Sequence, residues 1–357
     1  MPLNFAHETK GQRVLFGAGR AATDLSAETA RFAARAPFVV AGDRHDGLIA
    51  AAGLGAAARY RRVVQHVPVE LAQDARDAAR AAGADLLIAV GGGSATGLAK
   101  AVALTCGAPI VAVPTTFAGS EATDVWGLTE AGRKRTGTDA RVLPASVIYD
   151  AELVAALPPD LAVASGLNAV AHSVDAMWGP QVDPIDAALA MEGLRTLRAG
   201  LPGVLGGDPD ATEQALYGSY LAAVAFASAG AGLHHKICHV LGGAFGLPHA
   251  PTHAVVLPYV LAYNAPYAPQ AAGRIAAALG DPDPTAGLDR LRADLDAPRA
   301  LRELGLAADD VDTAAMLVLP DVPASNPRPV DDDSLAALLH AAWAGSDPRL
   351  IGMEDSG

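Results

Sequence analysis

The histidines of this chain cluster in one part of the sequence. Six of its ten histidines lie between residues 172 and 253, and three of these fall in the run Gly232-Leu-His-His-Lys-Ile-Cys-His239. Imidazole binds metals, transfers protons and donates hydrogen bonds to anions near neutral pH. The cluster therefore predicts a chemical site, since packing alone does not explain so many histidines together.

The spacing of these residues suggests how they meet. Residues 165–175 have a helical pattern, which places Asn168 and His172 one turn apart on one face. His235 and His239 repeat that spacing, and His249 follows a proline that would turn the chain back towards them. Two interpretations stay open: a divalent ion shared by His172, His235 and His249, or a substrate pocket without metal that the whole set lines.

A glycine-rich turn, Gly91-Gly-Gly-Ser94, directly follows a strand predicted at 85–90 and opens a helix predicted at 95–104. Glycines let the backbone approach a pyrophosphate closely, and the helix N-terminus supplies free N–H groups. The turn matches neither the Gly-x-Gly-x-x-Gly fingerprint nor a Lys-Ser/Thr phosphate loop. A plain tight turn therefore stays open as an alternative.

A second loop, Pro114-Thr-Thr-Phe-Ala-Gly-Ser-Glu121, also follows a predicted strand and carries three hydroxyl groups. Hydroxyls at the carboxyl edge of a parallel sheet are placed to bind phosphate or ribose. The alternative is a helix cap, with Ser120 as the N-cap residue.

The two halves of the chain predict different architectures. Short apolar runs alternate with Ala-rich helical stretches up to residue 150, and the runs are 14–16, 37–41, 85–90, 108–113 and 147–149. This alternation predicts an α/β domain over residues 1–157 with a parallel, Rossmann-like sheet. Beyond Pro158-Pro159 helical periodicity dominates, which predicts an all-α substrate domain over 158–357 and a cleft between the two.

Composition limits the possible partners. A formal net charge of −13 without a large Lys/Arg cluster argues against nucleic acid or an anionic membrane surface. The chain has two cysteines, too few for a disulfide framework, and neither a secretory signal nor a spanning segment is evident. We therefore expect a cytoplasmic protein that binds a small anionic molecule through a local basic pocket.

Four segments resemble the maleylacetate reductases, a branch of the iron-containing alcohol dehydrogenase superfamily. They are 91–100, 114–121, 125–130 and the histidine-rich 232–243, and the similarity extends from about Val14 to the segments 326–330 and 338–342. The resemblance implies the two-domain, dehydroquinate synthase-like architecture of that superfamily. It also implies reduction of the carbon-carbon double bond of maleylacetate to 3-oxoadipate in aromatic compound degradation, by a homodimer that uses NAD(P)H.

The same resemblance assigns the cofactor site. The residues implied are Gly92, Gly93 and Ser94 for the pyrophosphate, Thr115, Thr116 and Ser120 for phosphate or ribose, and Leu128 and Lys134 facing the cofactor. Asp43, after the strand at 37–41, is placed to accept hydrogen bonds from the adenosine ribose. A carboxylate there would repel a 2′-phosphate, which favours NADH over NADPH.

The implied reaction defines what the substrate site must do. Hydride addition to the enone places negative charge on the ketone oxygen, and the site must stabilise that charge. Lys236 would supply fixed positive charge, and His234 and His235 would add to it when protonated. The possible donors of hydrogen bonds or protons are His172, His239, His249 and His253, and which of them delivers the proton stays open.

Two residues depart from the pattern that the resemblance implies. Metal-binding relatives use one Asp and three His, but the residue at the Asp position here is Asn168. Metal-free catalysis is therefore predicted. At most, a weak metal site would be formed by Asn168, His172, His235 and His249. Phe117 stands where this branch usually carries Tyr, which suggests an altered substrate. The alternatives are a metal-dependent alcohol or semialdehyde dehydrogenase and a non-catalytic relative that binds a nucleotide or sugar phosphate.

Overall fold

The computed structural model describes residues 4–130 and 133–352, without the side chains of residues 133 and 134. The chain divides into two compact units, one formed by residues 9–157 and the other by the residues from 158 onward together with the described residues 4–8. The limits of the two predicted domains, 1–157 and 158–357, stay a prediction. The N-terminal residues contact the helical unit, where His7 Nδ1 lies 2.8 Å from Asp183 Oδ2.

A six-stranded sheet forms the centre of the first unit. Its strands are β1 (Arg13–Phe16), β2 (Pro37–Ala41), β3 (Ala58–Tyr60), β4 (Leu86–Gly91), β5 (Ile110–Pro114) and β8 (Ser146–Tyr149). Their order is β1-β8-β5-β4-β2-β3 and every pairing is parallel. This confirms the predicted α/β fold class.

The two central strands show why the sheet is covered on both faces. All residues of β4 and β5 are buried, and their sequences, Leu-Leu-Ile-Ala-Val-Gly and Ile-Val-Ala-Val-Pro, do not alternate between apolar and polar residues. Continuous apolar runs of this kind are typical of parallel strands packed between helices.

Among its described residues this unit has five α-helices: α1 (Ala21–Arg31), α2 (Asp46–Ala51), α3 (Val69–Ala81), α4 (Gly93–Cys106) and α5 (Ala151–Val154). One core joins α3 and α4 to one face of the sheet, and a second core joins α1 and α2 to the other face. The carboxyl ends of β4 and β5 therefore carry the two loops whose sequences suggested ligand binding.

Three strands were missed from sequence. They are β3 and the antiparallel hairpin of β6 (Val125–Glu130) and β7 (Arg133–Thr138). The sequence of β7 is Arg-Lys-Arg-Thr-Gly-Thr, so no apolar period marks it as a strand. Cross-strand pairing with β6, rather than burial of an apolar face, defines this element.

The second unit is helical, and its described residues contain no strand. Its helices are α6 (Pro159–Ala176), α7 (Pro184–Leu205), α8 (Pro209–Ala229), α9 (Leu233–Ala244), α10 (His249–Asn264), α11 (Pro269–Leu279), α12 (Pro284–Asp294), α13 (Val311–Val318) and α14 (Asp332–Ala344). Every residue of α6 from Ala162 to Ala176 is buried, so this helix is surrounded by its neighbours. The predicted all-α C-terminal architecture is confirmed.

In the described part of the chain, no single helix has both the length and the apolar character needed to cross a bilayer. Helices α8 and α9, which are bent by 97° at their junction, meet these two requirements only when taken together, and by length and composition alone.

Candidate functional site

The glycine turn of the first unit lies between β4 and α4. Gly91 has a φ of 147°, which L side chains rarely adopt, and a Cβ atom on Gly92 would lie only 2.8 Å from Thr116 Cγ2. The second loop therefore packs directly against the first. At least part of the glycine requirement comes from this close approach of two protein loops.

The start of α4 is open to a ligand. Gly92 is its N-cap, and among the described residues no side chain caps the helix. The first N–H groups of a helix lack acceptors within the helix and favour anions. Gly93 and Ser94, the first two residues of α4, are half-buried and thus carry N–H groups suited to phosphate.

The second loop has a buried hydroxyl without a partner. Thr115 and Thr116 are buried, and Thr115 Oγ1 has no hydrogen-bond partner among the described residues. The prediction of Ser120 as an N-cap is wrong, because Gly119, at a φ of 73°, precedes the short 3-10 helix and Ser120 is inside it. Phe117 is fully buried.

Asp43 follows β2, as predicted, and its side chain is exposed, but it is not a lone carboxylate. Arg61 donates a hydrogen bond to Asp43 and another to Asp46, in which Nη1 of Arg61 lies 3.0 Å from Oδ1 of Asp46. Arg61 follows β3, the edge strand next to β2, and sequence reasoning did not single it out. A guanidinium beside the carboxylate offsets the repulsion of a 2′-phosphate on which the NADH preference was based.

The remaining two cofactor candidates lie on the hairpin. Leu128 is half-buried on β6 and packs against the core that contains α4. Lys134 is on β7, opposite Thr129, but its side chain is outside the described residues. Their predicted role therefore stays a prediction.

A buried lysine connects α4 to the segment before this hairpin. Lys100 Nζ donates to Thr123 O at 2.8 Å, Thr123 Oγ1 at 3.0 Å and Val125 O at 2.8 Å. Complete burial lowers the pKa of Lys100 to about 7. Its three bonds to the segment that leads into β6 indicate a structural role.

The second unit brings all six candidate histidines together. His172 and Asn168 are on α6, His234, His235 and His239 on α9, and His249 and His253 on α10. Ring centroids are 5.1 Å apart for His172 and His235, 4.8 Å for His235 and His253, 4.5 Å for His249 and His253, and 6.4 Å for His239 and His249.

His235 is held by a buried carboxylate that sequence reasoning did not assign. Its Nδ1 atom lies 2.7 Å from Oδ2 of Asp175, which also accepts from Gly232 N at 2.9 Å. Asp175 is three residues after His172 on α6, so the spacing in the helix was the one available signal. Phe226, another residue missed, packs on the His235 ring at a centroid distance of 4.1 Å.

Burial determines the charge of these imidazoles. It lowers the pKa of His172 to about 4 and that of His234 to about 3, and it holds the pKa values of His235 and His253 well below the ordinary range. The expectation that His234 and His235 add positive charge is therefore wrong, because both stay neutral at pH 7.

Lys236 is the nearest fixed cation in sequence. It is half-buried on α9, and none of the described side chains accepts a hydrogen bond from its ammonium. The site thus combines one ammonium without an ion-pair partner among the described residues with several neutral imidazoles.

Comparison with known proteins shows the family. The iron-containing alcohol dehydrogenase model matches residues 11–151, and the C-terminal model of the Fe-containing alcohol dehydrogenase family matches residues 162–343. This chain belongs to the iron-containing alcohol dehydrogenase family. It is an NAD(P)H-dependent oxidoreductase, as predicted.

Individual relatives extend over nearly the whole chain. Maleylacetate reductase 2 of Cupriavidus pinatubonensis is 46% identical over 94% of this chain and 96% of that protein. Among solved structures, an iron-containing alcohol dehydrogenase from Corynebacterium glutamicum has a TM-score of 0.94 at 51% identity, covering 98% of this chain and 100% of that one. Maleylacetate reductase from Agrobacterium tumefaciens has a TM-score of 0.90 at 40% identity, covering 97% and 100%. The resemblance to maleylacetate reductases is confirmed.

The family description names iron, so family membership does not support the prediction that metal is unlikely. The residues themselves, however, do not fit the ligand set of one Asp and three His. Asn168 provides no charge, and the His172 and His235 rings stack with 12° between their planes. An amide oxygen without charge is a weaker ligand for iron than a carboxylate, so the set lacks its one anionic member.

Proposed function

We propose that this protein reduces the carbon-carbon double bond of maleylacetate, or of a close unsaturated keto-diacid, to give 3-oxoadipate or its analogue, with NADH as the electron donor. The observation that carries the proposal concerns α9, the helix that contains the His-His-Lys-x-Cys-His run. Neutral, buried imidazoles surround the start of this helix, which also carries Lys236. Identity of 46% to a curated maleylacetate reductase supports the choice of substrate.

The chemistry of the substrate fits this set of side chains. When bound, the reduced nicotinamide supplies hydride to the alkene carbon remote from the ketone. The Lys236 ammonium binds a substrate carboxylate or stabilises the enolate oxygen by its positive charge. Neutral imidazoles donate hydrogen bonds to the same oxygen without repelling that ammonium. One of them, protonated from solvent once the anionic substrate is bound, gives a proton to the carbon beside the ketone and is neutral again afterwards.

The cofactor is assigned to the first unit. The N–H groups of Gly93 and Ser94 and the unpartnered hydroxyl of Thr115 are suited to the pyrophosphate. Thr116, Ser120, Leu128 and Lys134 keep their predicted roles in this proposal. Asp43 and Arg61 lie together where the adenosine ribose is expected, so the preference for NADH depends on the balance between them.

The finer features of the protein follow the same proposal. We infer that catalysis needs no metal, because Asn168 stands in place of the carboxylate in the ligand set of one Asp and three His. The enzyme is a cytoplasmic homodimer whose partner is a small anion rather than nucleic acid or a membrane. Light scattering of the purified protein tests the dimer.

One assay separates the possible functions. Oxidation of NADH is followed with enzymatically generated maleylacetate, and reduction of NAD⁺ is followed with simple alcohols and semialdehyde substrates, each before and after treatment with a chelator. The proposal expects turnover of maleylacetate that survives metal removal. Turnover of alcohols alone would indicate a dehydrogenase, strict dependence on iron or zinc would refute the metal-free part, and nucleotide binding without turnover would indicate a non-catalytic relative.

A further inference from the structure

We propose that Asp175 is a positioning residue, which holds His235 with its proton on Nδ1 so that Nε2 carries the lone pair that exchanges the substrate proton. The first part concerns the free protein. The second part, the role of His235 in the reaction, rests on the proposed function.

The carboxylate is surrounded by donors. Asp175 Oδ2 accepts from Gly232 N at 2.9 Å, from His235 N at 3.4 Å and from His235 Nδ1 at 2.7 Å, while Oδ1 accepts from Trp178 Nε1 at 3.3 Å. The backbone and indole groups are obligate donors, because their protons cannot move. Asp175 must therefore act as an acceptor, and the imidazole Nδ1 is the donor.

The backbone near α9 is shaped around this carboxylate. A Cβ atom on Gly232 would lie 2.9 Å from Asp175 Cγ and closer still to one carboxylate oxygen. No side chain other than hydrogen fits there without displacing Asp175. The close approach of Asp175 thus explains why the residue before the Leu-His-His-Lys run is a glycine.

Complete burial raises the pKa of Asp175 to about 7, since water does not solvate the charge. The same burial makes the four donors necessary, because an ionised carboxylate without them would be strongly disfavoured. Orientation of the carboxylate by fixed donors, and not its titration, determines which nitrogen of His235 carries the proton.

The opposite side of the ring is left open. His235 Nε2 is buried and has no hydrogen-bond partner among the described residues. The ring is also fixed in orientation, with Phe226 at 4.1 Å and the stacked His172 ring at 5.1 Å between centroids. An unpartnered nitrogen on an immobile ring is an unfavourable arrangement unless a ligand completes it.

The tautomer has a consequence for the reaction. A neutral His235 with its proton on Nδ1 cannot donate from Nε2, so it takes up a solvent proton there only once the anionic substrate is bound. The negative charge of the substrate then raises the imidazole pKa, and Asp175 stabilises the imidazolium. As the new C–H bond forms beside the ketone, the Nε2–H bond breaks and its electron pair returns to Nε2. Hydride from the nicotinamide and this proton together account for the two hydrogens added to the double bond.

The tautomer is measured directly by long-range ¹H–¹⁵N NMR on protein labelled at histidine, without substrate. The proposal expects His235 with a protonated Nδ1 and an unprotonated Nε2. A wild-type protein with the His235 proton on Nε2 would overturn it. Because no turnover is needed, this result is independent of the identity of the substrate.

Variants then test the link to catalysis. D175A removes the acceptor, and we expect mixed tautomers and a kcat lower by about 10²- to 10⁴-fold, with KM for NADH nearly unchanged. D175N keeps an oxygen acceptor but not the charge, so the tautomer is retained while kcat falls. The matched control is D186N, which alters another fully buried aspartate on α7.

Two outcomes separate the parts of the proposal. If D175A is folded and keeps kcat within about twofold, the positioning role is refuted. If the tautomer is as expected but maleylacetate is not reduced, the positioning role stands and the proposed function fails. Should D175A fail to fold, D175N and the wild-type spectrum still decide the question.

Discussion

The Nε2 atom of His234 lies 2.8 Å from Nδ1 of His253, and both rings are buried. Cys238 Sγ is 3.7 Å from the same His234 nitrogen. The outer nitrogens, His234 Nδ1 and His253 Nε2, have no hydrogen-bond partner among the described residues. Two neutral imidazoles joined in this way share one hydrogen bond and leave one N–H and one lone pair free.

The hydrogen-bonded pair of His234 and His253 predicts that two substitutions of His253 affect stability and activity differently. H253N places an amide near the position of Nδ1, so it keeps the bond to His234 but loses Nε2. H253A loses both, and we expect it to unfold more easily by about 1–3 kcal/mol, since His234 is left buried and unpaired. Urea unfolding measures the stability, and NADH oxidation with maleylacetate measures the activity.

If His253 Nε2 contacts the substrate, H253N loses activity while its stability stays close to that of the wild type. Equal activity in H253N and the wild type would assign His253 a packing role only.

Replacing Lys236 tests the anion site. K236A should raise KM for the keto-diacid by about tenfold or more, because a charge-assisted contact to a carboxylate contributes about 1.5–3 kcal/mol. Binding of NADH, measured by fluorescence titration, should be nearly unchanged. The control R274A removes an exposed cation from α11 of the same unit. Equal loss of substrate and NADH affinity in K236A would contradict the assignment.

Arg61 and Asp43 predict a change in cofactor choice. R61A removes the guanidinium that pairs with Asp43, so the carboxylate alone faces the ribose and kcat/KM for NADPH should fall by about tenfold, with a smaller effect for NADH. D43A should have the opposite effect. R62A, which breaks the exposed pair with Asp74, is the control. Identical changes for both cofactors in R61A would show that this pair does not face the ribose.

Gly92 is expected to resist substitution for a steric reason. In G92A the new Cβ would lie 2.8 Å from Thr116 Cγ2, so one loop must move, at a cost of about 1–3 kcal/mol in unfolding free energy. The double variant G92A/T116A removes the clashing methyl group and should recover most of the lost stability. G47A, with no atom within 4 Å of its Cβ, is the control. A stability unchanged in G92A would mean that the loops separate readily.

Much of the fold could be predicted from the sequence because its signals are local. The strand from Pro37 to Ala41 was predicted with its observed limits, and β4 and β5 within two residues, since apolar β-branched runs between helices leave little choice. The hairpin of β6 and β7 was not predicted, because its pairing is non-local and β7 is charged.

The candidate site was only partly predictable. Helical spacing brought Asn168 near His172 and His235 near His239, and the cluster formed as expected. Asp175 and Phe226 were missed because their role depends on packing between helices that are distant in sequence. The charge of His234 was also misjudged, since burial, which lowers its pKa, cannot be seen in a motif.

His172 predicts how stability changes with pH. Burial lowers its pKa to about 4, whereas an unfolded histidine titrates near about 6.5. Between these values the unfolded chain binds the additional proton, so stability is lost as pH falls from about 6.5 to about 4, by up to about 1.4 kcal/mol per pH unit. Asp175, whose pKa is raised to about 7 from an unfolded value of about 3.9, acts in the opposite direction over the whole of this range. The comparison between a variant and the wild type is therefore more informative than the wild-type slope.

H172Q removes this titration and leaves Asp175 in place. Urea unfolding at about pH 7 and about pH 5 should show that the wild type loses about 1–2 kcal/mol more than H172Q does over that interval. H340Q, which replaces an exposed histidine on α14, should follow the wild type. Parallel losses in all three proteins would mean that His172 takes up its proton in the folded state as readily as in the unfolded chain, and the cluster would then carry the positive charge that its burial is expected to prevent.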